Sequence, residues 1–330
     1  MNTWVSNPAA GRSSYHEYMS SLSNAEDRQP HRRGRVAFFG GSFDPPHLGH
    51  LGVARAALAA LGLDTVLFAP VGTQPLKPQG PTACFEDRLA MTRLAIAGEP
   101  AFALSLADAP KSSGAPNFTL ETLLALRAQL PPGSTLFCLM GADSFAGFSR
   151  WHRAAEIPFL APLIVASRPT ESQWLQRGLD STLPNGLTIE SVPHHGDLND
   201  PKGSIETEGG GMTEGGGGFT ASGNTHSESQ EASGHDFSRA ASATKRMRAL
   251  ATEVRFSADE LELRRYILRD PAGHQAPFYL LPGLHIDISA SQIRDQIRSL
   301  ALPSAEARIP DSSLLPPPVL EYIHTHNLYC

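Results

Sequence analysis

The string Gly40-Gly41-Ser42-Phe43-Asp44-Pro45-Pro46-His47-Leu48-Gly49-His50 constrains this chain more than any other stretch. Before it, Val36-Ala37-Phe38-Phe39 is a short continuous apolar run, the pattern of a strand buried on both faces. After it the apolar period becomes helical: Leu51, Ala54, Leu58 and Leu61 share one face, and Gly62 supplies a stop. A strand, a glycine turn and a helix in that order offer unpaired backbone N–H groups where an anion is favoured. His47 and His50 stand three apart, so both project from one side of the first helical turn. Two imidazoles there can donate to phosphate oxygens while charge builds on a leaving group. No Gly-Lys-Ser/Thr follows, so this is not a Walker A loop.

The alternation continues downstream. Residues 65–69 read as a strand closed by Pro70, and residues 86–97 as a helix with Glu86 and Asp87 in its favoured first turn. Strands follow at 102–106, 135–140 and 163–167, with a helix at 120–130. This rhythm predicts an α/β fold: a Rossmann-like, doubly wound parallel sheet with helices on both faces. Such sheets bind ligands beyond the C-terminal strand ends, at the switch point. The loops after Phe39, Ala69, Met140 and Ser167 are therefore expected to meet at one site.

Not all of the 330 residues fit that scheme. The 29 glycines and 27 prolines are many for a compact enzyme. Residues 197–244 hold Gly209-Gly210-Gly211 and Gly215-Gly216-Gly217-Gly218 amid Ser, Thr, Glu and His, with almost no large apolar residues. They read as a flexible insertion, because such a composition buries too little surface to offset chain entropy. Residues 1–33 are polar and read as a disordered leader, so the folded domain is expected over 34–330 with that interruption. Lys245-Arg246-Met247-Arg248 reads as a solvated helix face. Order is expected to return as a strand at 278–286, a helix at 289–300 and a last short helix at 319–324.

The net charge of −6 argues against a general nucleic-acid binder. No apolar run approaches the length that crosses a bilayer, and the first residues lack the apolar centre of a secretory signal. The three cysteines, Cys84, Cys138 and Cys330, have no metal-type spacing. A cytoplasmic protein is the expectation, with room for a homo-oligomer.

A second motif lies near the other end, Ile288-Ser289-Ala290-Ser291-Gln292-Ile293-Arg294. Ser289 and Ser291 can cap a helix or bond a phosphate, and Arg294 can reach back to the same anion. One motif opens the fold and the other closes it, as two walls of a triphosphate clamp would.

On these residues the chain resembles the bacterial nicotinate-nucleotide adenylyltransferases, of the HxGH nucleotidyltransferase superfamily with its HUP-type fold. Residues 40–50 match the family's G-G-[ST]-F-D-P-x-H-x-G-H, and residues 288–294 match its I-S-[SA]-[ST]-x-I-R. Ala115-Pro116-Asn117-Phe118-Thr119 is similar to A-P-S-Y-T, and Gly141-Ala142-Asp143-Ser144 to G-x-D-[SN]. Trp151 falls where the family stacks an aromatic on the pyridine, and Arg168 where its arginine reaches the mononucleotide phosphate. Gln74-Pro75-Leu76-Lys77 departs from P-P-H-K but keeps the lysine, and Phe118 replaces the tyrosine.

The resemblance implies adenylyl transfer from ATP to nicotinate mononucleotide, giving deamido-NAD and pyrophosphate, with Mg²⁺ accompanying ATP and no dedicated metal ligands. It implies catalytic roles for His47, His50 and Arg294. Gly40, Gly41, Ser42, Phe43, Gly49, Gly141, Asp143, Ile288, Ser289 and Ser291 would contact ATP. Asp44, Lys77, Thr119, Trp151 and Arg168 would serve the acceptor. A sibling transferase with another acceptor, such as nicotinamide mononucleotide or phosphopantetheine, and a non-catalytic nucleotide-binding regulator remain the alternatives.

Overall fold

In a computed structural model of the chain, the described residues are 33–76, 79–167, 182–192, 263–281, 288–300 and 314–330. They all belong to one compact unit. The expectations for the leader before Arg33, the glycine-rich stretch, Lys245 to Arg248, the end of the strand near Ile286, Lys77 and Arg168 lie outside the described residues.

The first half follows the expected alternation closely. Strand β1 (Arg35–Gly41) leads to helix α1 (Leu48–Leu61), then β2 (Thr65–Pro70), α2 (Phe85–Ile96) and β3 (Phe102–Leu104). Helix α3 (Thr119–Gln129), β4 (Thr135–Gly141), the short α4 (Ala142–Phe145) and α5 (Ile157–Leu160), and β5 (Leu163–Ala166) come next. Gly62 ends α1 in the left-handed region at φ 55°, its N–H closing on the Leu58 carbonyl. Cys84 caps α2, its sulfur accepting from the Asp87 N–H.

The second half holds β6 (Thr188–Ser191), β7 (Arg264–Arg269), β8 (Gln275–Leu281), α6 (Ala290–Leu300) and α7 (Pro317–Thr325). The eight strands form one sheet in the order β3-β2-β1-β4-β5-β8-β7-β6. Pairing is parallel from β3 across to β8 and antiparallel over β8–β7–β6. The direction of winding reverses between β1 and β4, which places the switch point beside Gly41 and Gly141.

The antiparallel edge was not anticipated. Arg264-Arg265-Tyr266-Ile267-Leu268-Arg269 mixes charge into the run, and only Leu268 of β7 is buried, so no two-sided apolar signature marks it. The hairpin signal was present in Asp270-Pro271-Ala272-Gly273, where Gly273 takes φ 87° and donates to the Asp270 carbonyl. β8 consequently starts at Gln275, earlier than the expected strand.

Helices cover both faces. Ala37, Phe39, Val66, Phe68, Phe137 and Leu139 point to one side, with Leu51 and Ala54 of α1, Ile293 and Ile297 of α6 and Val319 and Ile323 of α7. Val36, Phe38, Leu67, Leu136, Cys138 and Met140 point to the other, against Leu120, Leu123 and Leu126 of α3. Each large apolar side chain so enclosed contributes ~1.5–3 kcal/mol from surface removed from water. Among the described residues no helix is long and apolar enough to cross a membrane.

Candidate active site

The turn after β1 is shaped by aromatic packing as much as by glycine. A Cβ on Gly40 would lie 2.7 Å from the Phe38 ring, so any side chain there would force that buried ring to shift. Phe43 enters the left-handed region at φ 47°, and a cis peptide joins Asp44 to Pro45. The buried Phe43 ring then meets Phe39, Phe68 and His50 at centroid distances of 5.6, 5.6 and 4.9 Å.

His47 and His50 come together as their spacing predicts. Their rings lie 3.8 Å apart at 32°. The His47 N–H donates to His50 Nδ1 at 3.2 Å, while the His50 N–H donates to the His47 carbonyl at 2.9 Å. With Nδ1 accepting, the proton of a neutral His50 sits on Nε2, free to serve as a donor. Burial among these rings lowers the His50 pKa from 6.5 to about 4. His50 is therefore a neutral donor across the physiological range.

That shift carries a stability consequence. Below pH 6.5 the unfolded chain takes up a proton that the folded chain refuses, so stability present above 6.5 is lost as pH falls toward 4. Between pH 7 and 4.5 this one residue accounts for a loss of about 2 kcal/mol. Denaturant unfolding of wild type and His50→Gln at the two pH values checks it: the variant should lose correspondingly less, and an identical loss refutes the assignment.

Asp44 is buried with both carboxylate oxygens occupied. Oδ2 accepts the Thr82 N–H at 2.6 Å; Oδ1 accepts the Ala83 N–H at 3.1 Å and the Tyr329 hydroxyl at 2.8 Å. Arg294 reaches this turn from α6. Its Nη1 donates to the Asp44 carbonyl at 2.6 Å and lies 3.7 Å from Oδ2, and Nη2 donates to Ser291 Oγ at 3.2 Å. Its Nε is buried and has no hydrogen-bond partner among the described residues.

Arg88 went unnoticed in the sequence. It is 1% exposed and donates to three backbone carbonyls, Ser42 at 2.6 Å, Val71 at 2.9 Å and Ala83 at 3.3 Å. Burial lowers its pKa, and the Asp44 carboxylate is the largest opposing influence. One guanidinium thus ties together the loops after β1 and β2 and the start of α2. The signal was an arginine between Phe85 and Thr92 on the buried face of that helix. Asn117 likewise joins loops: its Oδ1 accepts the Thr73 N–H, its Nδ2 donates to the Ala109 carbonyl, and its own N–H donates to the Thr73 carbonyl. Gln74 beside it accepts the Ser42 hydroxyl at 3.2 Å.

The remaining expected residues are more dispersed. Gly41 and Gly141 end neighbouring strands, and among the described residues a Cβ on Gly141 would meet nothing within 4 Å. Asp143 is exposed on α4. Gly49 is buried in α1, while Ile288 and Ser289 precede α6, where the Ser289 carbonyl accepts the Ile293 N–H. Thr119 is the first residue of α3 rather than its cap, which is Phe118. Trp151 packs edge-on to Phe148 in the cluster on the opposite sheet face from His50. Among the described residues no group of three His, Cys, Asp or Glu side chains could hold a metal ion.

A family model described as Cytidylyltransferase-like matches residues 38–205. A "Probable nicotinate-nucleotide adenylyltransferase" of Sodalis glossinidius is 37% identical over 156 residues, 44% of this chain and 71% of that protein. The chain belongs to the cytidylyltransferase-like family, among its nicotinate-nucleotide adenylyltransferases. A relative of the same name from Trichlorobacter lovleyi is 43% identical over 138 residues, 42% of this chain, although the match spans only 63% of that relative's length. A solved Plasmodium falciparum nicotinic acid mononucleotide adenylyltransferase complexed with NaAD aligns over 90% of this chain and 98% of its own. At 14% identity and a TM-score of 0.47 that likeness is too slight to build on.

Proposed function

We propose that this cytidylyltransferase-like protein transfers the AMP part of ATP to nicotinate mononucleotide, as a cytoplasmic enzyme of NAD biosynthesis. The observation that carries the reading is Arg294: it is drawn onto the turn bearing His47 and His50 with a buried Nε–H that has no hydrogen-bond partner among the described residues. Two guanidinium groups, Arg88 and Arg294, lie near the buried carboxylate of Asp44, beside a neutral His50. Such a site favours a phosphate group.

The acceptor's phosphate has a second pKa near ~6, so it is already a dianion at neutral pH. One of its oxygens bonds to the α-phosphorus of ATP while the bond from that phosphorus to the bridging oxygen breaks. Pyrophosphate departs with the electron pair. No general base and no covalent enzyme intermediate are needed, so the protein's part is positioning and charge stabilisation. His50 Nε2–H and Arg294 Nε–H would donate to triphosphate oxygens, with His47 beside them. Lys77, Arg168, Thr119 and Trp151 would serve the acceptor, and Gly141 and Asp143 the nucleotide. The occupied Asp44 carboxylate suits a Mg²⁺ held by the triphosphate and water rather than by protein side chains. When bound, it neutralises part of the triphosphate charge.

Pyrophosphate release measured with ATP, Mg²⁺ and a panel of acceptors tests the reading. Release with no acceptor tried would reduce the protein to a nucleotide binder. Nicotinate mononucleotide should exceed the nicotinamide form by at least about thirtyfold in kcat/KM. Donors aimed at a carboxylate are left facing an NH₂ group when the amide binds, a mismatch of ~2–4 kcal/mol. Equal values would refute the nicotinate assignment and leave adenylyl transfer standing.

A further inference from the structure

The penultimate residue reaches the centre of the candidate site. Tyr329 is 6% exposed, and its hydroxyl donates to Asp44 Oδ1 at 2.8 Å across almost the whole length of the chain. The approach demands an unusual backbone: Asn327 and Tyr329 take φ 49° and 68°. Bulky side chains rarely adopt that region, and it persists where the surroundings over-determine it. Two further ties hold the same segment. Leu48 N–H donates to the Leu314 carbonyl at 3.0 Å, and the Tyr322 hydroxyl to Asp87 Oδ1 at 3.0 Å.

The geometry around Asp44 gives this bond a purpose. A carboxylate beside a guanidinium ordinarily closes to a direct, often two-pronged pair at about 2.7–2.9 Å. Here the separation is 3.7 Å, and Nη1 instead bonds the Asp44 main-chain carbonyl. Oδ1 is engaged by Tyr329 and Ala83, and Oδ2 by Thr82, so the carboxylate is turned toward other donors. We infer that Tyr329 is a positioning residue: by holding the Asp44 carboxylate it keeps that group from pairing fully with Arg294, which leaves the guanidinium available to a triphosphate. Remove the hydroxyl and the carboxylate swings toward Arg294, competing with the incoming anion. The inference rests on the reading that Arg294 binds the triphosphate of ATP.

A double-mutant cycle read by titration calorimetry tests it, with ATP–Mg²⁺ and with inorganic tripolyphosphate as probes. Tyr329→Phe should weaken both by about tenfold when Arg294 is present, and by less than twofold in an Arg294→Gln background. In turnover the loss should appear in the KM for ATP and not in that for the acceptor. Equal losses in both backgrounds would mean a general structural role and overturn the proposal, as would no loss in either. Tyr329→Met, which also lacks the hydroxyl but fills the space flexibly, serves in the same cycle should the Phe variant not fold. Wild type that binds neither probe would sink the triphosphate reading itself, and the inference with it. Wild type that binds both, with Tyr329→Phe unchanged, sinks this inference alone.

Discussion

His50→Ala is expected to lower turnover by roughly a hundredfold or more while the protein stays folded. An aimed donor to charge developing in the transition state is worth ~3–4 kcal/mol, and His50 meets the requirements for one. Its Nδ1 is committed to the His47 N–H, which leaves Nε2–H as the donor, and burial keeps the ring neutral down to about pH 4. No titration of His50 should therefore appear in the activity profile between pH 5 and 8 in the free enzyme. The measurement is steady-state kinetics on a variant whose thermal unfolding has been checked, since the ring also packs on Phe43. Turnover like that of wild type in folded His50→Ala would remove the histidine from the mechanism.

Arg88→Met is expected to be the most damaging substitution for stability, at about 3–5 kcal/mol. The side chain is fully enclosed, so the loss is not softened by water. Three carbonyls, of Ser42, Val71 and Ala83, lose their donor together, and the buried Asp44 carboxylate loses an opposing charge. Methionine fills much of the space, so little of the cost comes from an empty cavity. Arg88→Lys keeps the charge but not the planar fork, and should recover less than half of the loss. Denaturant midpoints for the three proteins measure this. A Lys variant as stable as wild type would show that charge alone, rather than the three-way clamp, is what matters.

Both predictions concern the same turn, yet they differ in how far the sequence foretold them. His50 was legible because its chemistry is local: a strand, a glycine turn and a helix start are each encoded within a few residues. Arg88 lies in an ordinary helix, and its role comes from loops 46 and 17 residues away meeting over it. Asp44 shows the same divide from the other side. Its place in the motif is legible, but the three donors from distant segments that claim its carboxylate are not. Thr119 and Trp151 were legible as members of motifs, though their packing places them in a helix start and in the opposite core cluster.

By itself the sequence determined the parallel βαβ architecture and the pairing of the two histidines. Periodicity and turn chemistry act over short spans, so they survive reading one residue at a time. Only the tertiary structure decided that the sheet ends in an antiparallel ribbon. It also decided that Arg88 binds three loops and that the chain's end returns to Asp44. Those features depend on contacts between residues far apart in the chain, where a polar residue's partner is set by packing and by the cost of leaving a buried group unpaired.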